Sequence, residues 1–172
     1  MRYHDISKDN MLNGDGLRVV LWLSGCSHAC SGCQNPSTWN PKDGLVFDDA
    51  AKAEIFEQLD KDYISGITFS GGDPLFKGNR AEVLELMKEI NEKYPDKTIW
   101  SYTGYTIEEL EAQDPEFAKE LKKNVDVLVD GRYVQELRDV SLPWRGSSNQ
   151  RVIHFDKERE MEKEEREDYQ CL

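Results

Sequence analysis

The sequence predicts an α/β fold on a mostly parallel sheet, either a partial barrel or an open sheet, and three observations carry that prediction. Short apolar, β-branched segments alternate with amphipathic segments of helical period, the pattern of successive βαβ units with right-handed crossovers. Each strand-like segment runs into a glycine-bearing turn. The 172 residues suffice for one domain with a real core but fall short of the about 250 residues of a full eight-fold barrel.

Taken in order, "LRVVLWLS" (17–24) is β-branched and aromatic, reads as a strand, and ends at a run of cysteines. "DDAAKAEIFEQLDKDY" (48–63) sets Ala51, Ile55 and Leu59 at helical spacing behind an acidic start suited to a helix N-terminus. "GITFSGGDP" (66–74) is a second strand with glycines after it, and "AEVLELMKEINEKY" (81–94) a second amphipathic helix. "TIWSYTGY" (98–105) gives a third strand and turn, 107–123 is helical with a break before Pro115, and "VDVLVDG" (125–131) is a fourth strand. Sheets of this kind carry their chemistry at the carboxyl ends of the strands. The turns "SGC", "SGGDP", "YTGY" and "VDG" all fall there and should form one rim and one site. Trp22, Trp39 and Trp100 read as core or flanking residues.

An apolar content of 38% with four Trp, seven Tyr and six Phe argues against disorder. No apolar run reaches the roughly 20 residues of a membrane helix, so no membrane association is expected. With 34 acidic against 22 basic side chains the formal charge is −12, which disfavours nucleic acid as a partner. "MRYHDISKDN" lacks the apolar stretch of a signal peptide, so a cytoplasmic, reducing location is expected; disulfides are rare there, and thiols serve metals or redox chemistry. Residues 1–155 read as the core domain. Residues 156–172 read as a charged tail or helix, with eight acidic and four basic residues over 156–168 and an inert Cys171 near its end.

The informative stretch is "GCSHACSGCQN", which places Cys26, Cys30 and Cys33 on a loop at the predicted rim. A structural zinc site is closed by four ligands, and the candidates for a fourth are His4, His28, His154 and distant Cys171. His28 stands between two thiols and reads as a solvent-facing or supporting residue. A [4Fe-4S] cluster held by three thiolates keeps one iron without a protein ligand, as catalytic metal sites keep an open position. Gly25 and Gly32 beside the ligands leave room for a bulky cluster. An electron carrier would close its cluster with a fourth cysteine, so the missing thiol argues for substrate chemistry at iron.

CxxxCxxC after the first strand, with a glycine-rich turn after the next, resembles the radical S-adenosylmethionine superfamily. "GCSHACSGCQNPSTW", "SGGDPL", "TGYTIEEL", "VDVLVDGRYVQEL" and "WRGSSNQRV" in this order resemble the activating enzymes of anaerobic (class III) ribonucleotide reductase, over nearly the whole chain except the acidic tail. The resemblance implies a partial β/α barrel of the radical S-adenosylmethionine type. It also implies a [4Fe-4S] cluster on Cys26, Cys30 and Cys33 whose open iron binds the methionine part of S-adenosylmethionine. Reductive cleavage there would give a 5′-deoxyadenosyl radical that takes a hydrogen atom from a glycine of the reductase. The implied partners are the large, glycyl-radical subunit of that reductase and a flavodoxin-like electron donor. An activase of another glycyl-radical enzyme, such as pyruvate formate-lyase, and a noncatalytic cluster protein are the competing readings.

Carried over by position, Gly71, Gly72 and Asp73 form the turn expected to meet the methionine ammonium, Asp73 through its carboxylate. Gly32 and Gln34 take positions whose backbone approaches the adenine. Gln34 stands where an aromatic residue is common, which removes the ring that would stack there. Ser101 and Thr103 are candidates for the ribose hydroxyls or for structural hydroxyls. Asp130 either points into the site or caps the next helix. Residues 144–151 either contact the partner, close the site or form a packed surface turn.

Overall fold

The structure is a computed structural model and describes residues 1–155; the charged tail or helix expected over 156–172, Cys171 included, lies outside the described residues. The four expected strands form as β2 (Arg18–Leu23), β4 (Gly66–Gly71), β5 (Thr98–Tyr102) and β6 (Val127–Asp130). They are adjacent and parallel. Three further strands complete the sheet: β1 (Arg2–Asn10), β3 (Leu45–Val46) and β7 (Arg151–His154). They pair antiparallel at its two edges, in the order β3-β1-β2-β4-β5-β6-β7. The sheet is therefore mostly parallel, mixed at its edges, and not closed. No helix among the described residues is long and apolar enough to cross a membrane.

The crossover helices are α1 (Asp49–Leu59), α2 (Arg80–Lys93), α3 (Ile107–Gln113) and α4 (Pro115–Asn124). Three of these starts have a side-chain cap. The Asp48 side chain accepts the Ala51 amide at the head of α1, Thr106 and Glu109 form a reciprocal capping box on α3, and Asp114 caps α4 with Pro115 in its first turn.

Strand alternation divides the sheet into two unlike faces. Val19, Leu21, Ile67, Phe69, Ile99 and Leu128 point to one face, where they pack with Ile55, Leu59, Met87, Ile90 and Leu121 of the helices in the main core. No α-helix among the described residues packs on the other face. There Trp100, Val127 and Val129 form a small cluster with Trp144 and Val152, beside a fully buried Arg18. Arg18 donates to Thr68 Oγ1 (2.9 Å), Thr98 Oγ1 (2.9 Å), Asp15 O (3.0 Å), Ile67 O (2.9 Å) and Thr98 O (2.7 Å), tying β2, β4 and β5 together. Burial pulls its pKa down to about 10 against the opposing charges of Asp126 and Asp15.

Candidate functional site

The face opposite the helices α1–α4 holds a cavity of about 250 Å³ at the carboxyl ends of β2, β4, β5 and β6. Cys26, Gly71, Gly72, Gly104 and Gly131 all line it, so the four predicted turns do share one rim. Gly71 shows why the turn needs glycine: its φ is +100°, and a Cβ would lie 2.5 Å from the Leu23 backbone.

Cys26, Cys30 and Cys33 are free, half-buried thiols on the loop after β2, and all three line the cavity. Backbone donors reach the sulfurs. The Asn35 amide donates to Cys33 Sγ at 3.4 Å, and the His28 and Ala29 amides bond Cys26. Burial pushes the Cys26 thiol up to about 11 despite those amides. Three thiols on one loop with N–H groups aimed at sulfur are a donor set that fits an iron–sulfur cluster.

His28 differs from the solvent-facing alternative. Its side chain is 4% exposed, Nε2 lies 2.7 Å from Asp73 Oδ2, and the ring meets Tyr105 edge-on with centroids 4.5 Å apart. The reason is steric as well as polar: Gly104 leaves the space the imidazole occupies, since a Cβ there would lie 2.3 Å from His28 Cδ2. Asp73 in turn accepts from Thr103 Oγ1 (3.1 Å), Gly104 N (3.0 Å) and Leu75 N (2.9 Å). Its carboxylate is thus engaged by four protein donors, linking the cysteine loop to the turns after β4 and β5. Cys26, His28 and Asp73 each bring one donor atom within 4.8 Å of the others. The 2.7 Å between His28 and Asp73 is a hydrogen-bond distance, and the set is a hydrogen-bonded latch.

Of the remaining sequence candidates, Gln34 and Thr103 line the cavity, the Thr103 hydroxyl being turned to Asp73. Gly32 faces outward, where a Cβ would lie 2.1 Å from Gln135 Oε1. Neither Ser101 nor Asp130 lines the cavity. Ser101 pairs in register with Phe69 and Leu128 and so points to the helix side. Asp130 caps no following helix either: it accepts the Ile107 amide at the head of α3, which precedes it in sequence (2.9 Å), and two bonds from Arg151.

The residues missed are the row Trp22, Ser70 and Tyr102, which alternate with the core residues of their strands and form the cavity floor, and Asn13 and Tyr133 on flanking loops; Gln150, within the 144–151 stretch, lines the cavity as well. Trp22 is therefore a site wall and not a core residue; its Nε1 donates to Ser7 Oγ at 2.7 Å. Period-two alternation carried the signal for the floor: Ile99 in the core puts Trp100 and Tyr102 on the opposite face. Burial pushes the Tyr102 pKa up.

Comparison with known proteins follows the same residues. A family model described as a 4Fe-4S single cluster domain matches residues 12–153. The chain is 43% identical over 157 residues to a protein of Escherichia coli K12 named anaerobic ribonucleoside-triphosphate reductase-activating protein, covering 90% of this chain and 99% of that one. A phage T4 protein of the same name is 42% identical over 152 residues, covering 88% and 93%. One from Pasteurella multocida is 40% identical over 157 residues, covering 90% and 98%.

Proposed function

This chain belongs to the family of anaerobic ribonucleoside-triphosphate reductase-activating proteins, with their single 4Fe-4S cluster domain, and we propose that it installs the glycyl radical on such a reductase. The observation that carries the reading is the trio Cys26, Cys30 and Cys33 at the mouth of a cavity whose described residues supply no fourth cysteine. Cys26, Cys30 and Cys33 would hold the cluster, which when bound would supply one electron for reductive cleavage of S-adenosylmethionine to methionine and a 5′-deoxyadenosyl radical, and transfer of one hydrogen atom from a glycine α-carbon of the partner would leave 5′-deoxyadenosine and the glycyl radical.

The chain's own residues bind and exclude water. The backbone of Gly71 and Gly72 faces the cavity beside Cys26 and receives the methionine ammonium. The Asp73 carboxylate, saturated by protein donors, holds that turn rigid. Gln34 and the Thr103 turn border the nucleoside, and the floor row of Trp22, Ser70 and Tyr102 keeps water from the radical. The open α/β sheet is read as a partial barrel of the radical S-adenosylmethionine type over residues 1–155. A flavodoxin-like donor in the cytoplasm supplies the electron, since a second cluster motif is absent from the sequence.

The test is electron paramagnetic resonance of the purified reductase after anaerobic incubation with this chain, S-adenosylmethionine and a reductant. A glycyl doublet that requires all three is expected, and a reductase without that signal would refute the assignment.

A further inference from the structure

Between β6 and β7 the chain makes a long excursion, residues 131–150, whose regular structure is one short 3-10 turn, Gln135–Leu137. Its backbone is nonetheless fixed by its own side chains. Gln150 accepts from the Gly146 and Ser147 amides and donates to Gly131 O, Ser147 Oγ accepts the Val134 amide, and Asn149 donates to Arg132 O.

Three features of this ordered loop are not explained by those hydrogen bonds. Leu137 and Val140 are 43% and 85% exposed at its tip. Trp144 holds a left-handed φ of +58° that a non-glycine residue rarely adopts. Arg145 Nε is buried with no hydrogen-bond partner among the described residues. Between the two aliphatic side chains stands exposed Arg138, which makes no ion pair among the described residues.

The loop is continuous with the site. Tyr133, Gly146 and Gln150 line the cavity, and Gln135 abuts Gly32 between Cys30 and Cys33. The tip joins the same framework, because the Asp139 amide bonds Gly146 O and Arg138 bridges Ser147. A protein seated on Leu137 and Val140 therefore lies against the wall of the cavity into which its glycine must reach.

We propose that Leu137, Arg138 and Val140 form the docking point of the glycyl-radical reductase, an apolar contact with one cation at its centre. The proposal rests on the functional reading above. Its partner is the macromolecule that must reach this cavity, and an exposed apolar tip on a pre-ordered loop suits recognition without a folding step.

The experiment uses the full chain, reconstituted anaerobically, and the purified cognate anaerobic ribonucleoside-triphosphate reductase, with affinity measured by sedimentation. Leu137→Ser/Val140→Ser is expected to weaken binding at least tenfold. Glycyl-radical yield should then fall at low reductase concentration and recover at high concentration. Arg138→Glu is expected to weaken binding by a margin that shrinks with added salt. Binding within twofold of the parent for both variants overturns the proposal, as does loss of self-association alone, which would make the patch a contact between copies of this chain. If the parent forms no 5′-deoxyadenosine the functional reading fails, and the binding measurement still decides the docking surface.

Discussion

Replacing Asp73 tests whether its carboxylate is part of the frame or a ligand-facing group. The residue is 1% exposed, and its two oxygens accept four hydrogen bonds, from His28, Thr103, Gly104 and Leu75. Asp73→Ala leaves four donors without an acceptor. Two are backbone N–H groups that cannot rotate toward water, and each unsatisfied buried donor costs about 1–3 kcal/mol. With partial relaxation the total is about 3–5 kcal/mol, a large part of the about 5–15 kcal/mol that holds a domain folded. Asp73→Asn keeps one acceptor oxygen but turns an NH2 toward an existing N–H, for about 1–3 kcal/mol. Urea denaturation of the reduced, cluster-free protein should order the stabilities as parent, Asn, Ala, with unchanged slope. Equal stabilities for the parent and Asp73→Ala within about 1 kcal/mol would refute the latch, because a ligand-facing carboxylate can be removed without loss of fold.

Gly104→Ala puts a Cβ where the His28 ring now lies, 2.3 Å from Cδ2, and should cost about 1–3 kcal/mol by urea denaturation. The cost should shrink in a His28→Ala background, and additive losses would contradict the contact. Arg18→Met removes all five hydrogen bonds of a fully buried guanidinium and should destabilise by about 3–5 kcal/mol; a thermal midpoint unchanged from the parent would contradict that role. Hydrogen bonds from Arg151 hold Glu108 down to about 2, below the ordinary carboxylate value near 4.5. A depressed acid stabilises the fold above its unfolded pKa and loses that contribution as pH falls through its folded one, here between pH about 4.5 and 2. Glu108 is exposed, so the effect is under about 1 kcal/mol, and Glu108→Gln should flatten the acid limb of the stability curve.

The middle of this fold is legible because its strands announce themselves. "RVVLWL" and "VLVD" are buried on both faces and β-rich, as parallel strands are. The edges are not. In β1 only Ile6 is buried among nine residues, and β7 is four residues long, so both read as polar connections. The same division governs the site. Spacing located the three cysteines and the glycine turns, since both depend on local chain geometry. Which face Ser101 and Asp130 take depends on strand phase, and the turn of His28 toward Asp73 depends on a contact between residues 45 apart in sequence. The floor of Trp22, Ser70 and Tyr102 needed the register of three strands, which no single segment contains.

The most direct test of the central claim is the yield of 5′-deoxyadenosine from the chain reconstituted with iron and sulfide, reduced anaerobically with S-adenosylmethionine present. The parent should form it and Cys30→Ala should not; equal yields from the two would mean that the three-cysteine loop does not carry the chemistry.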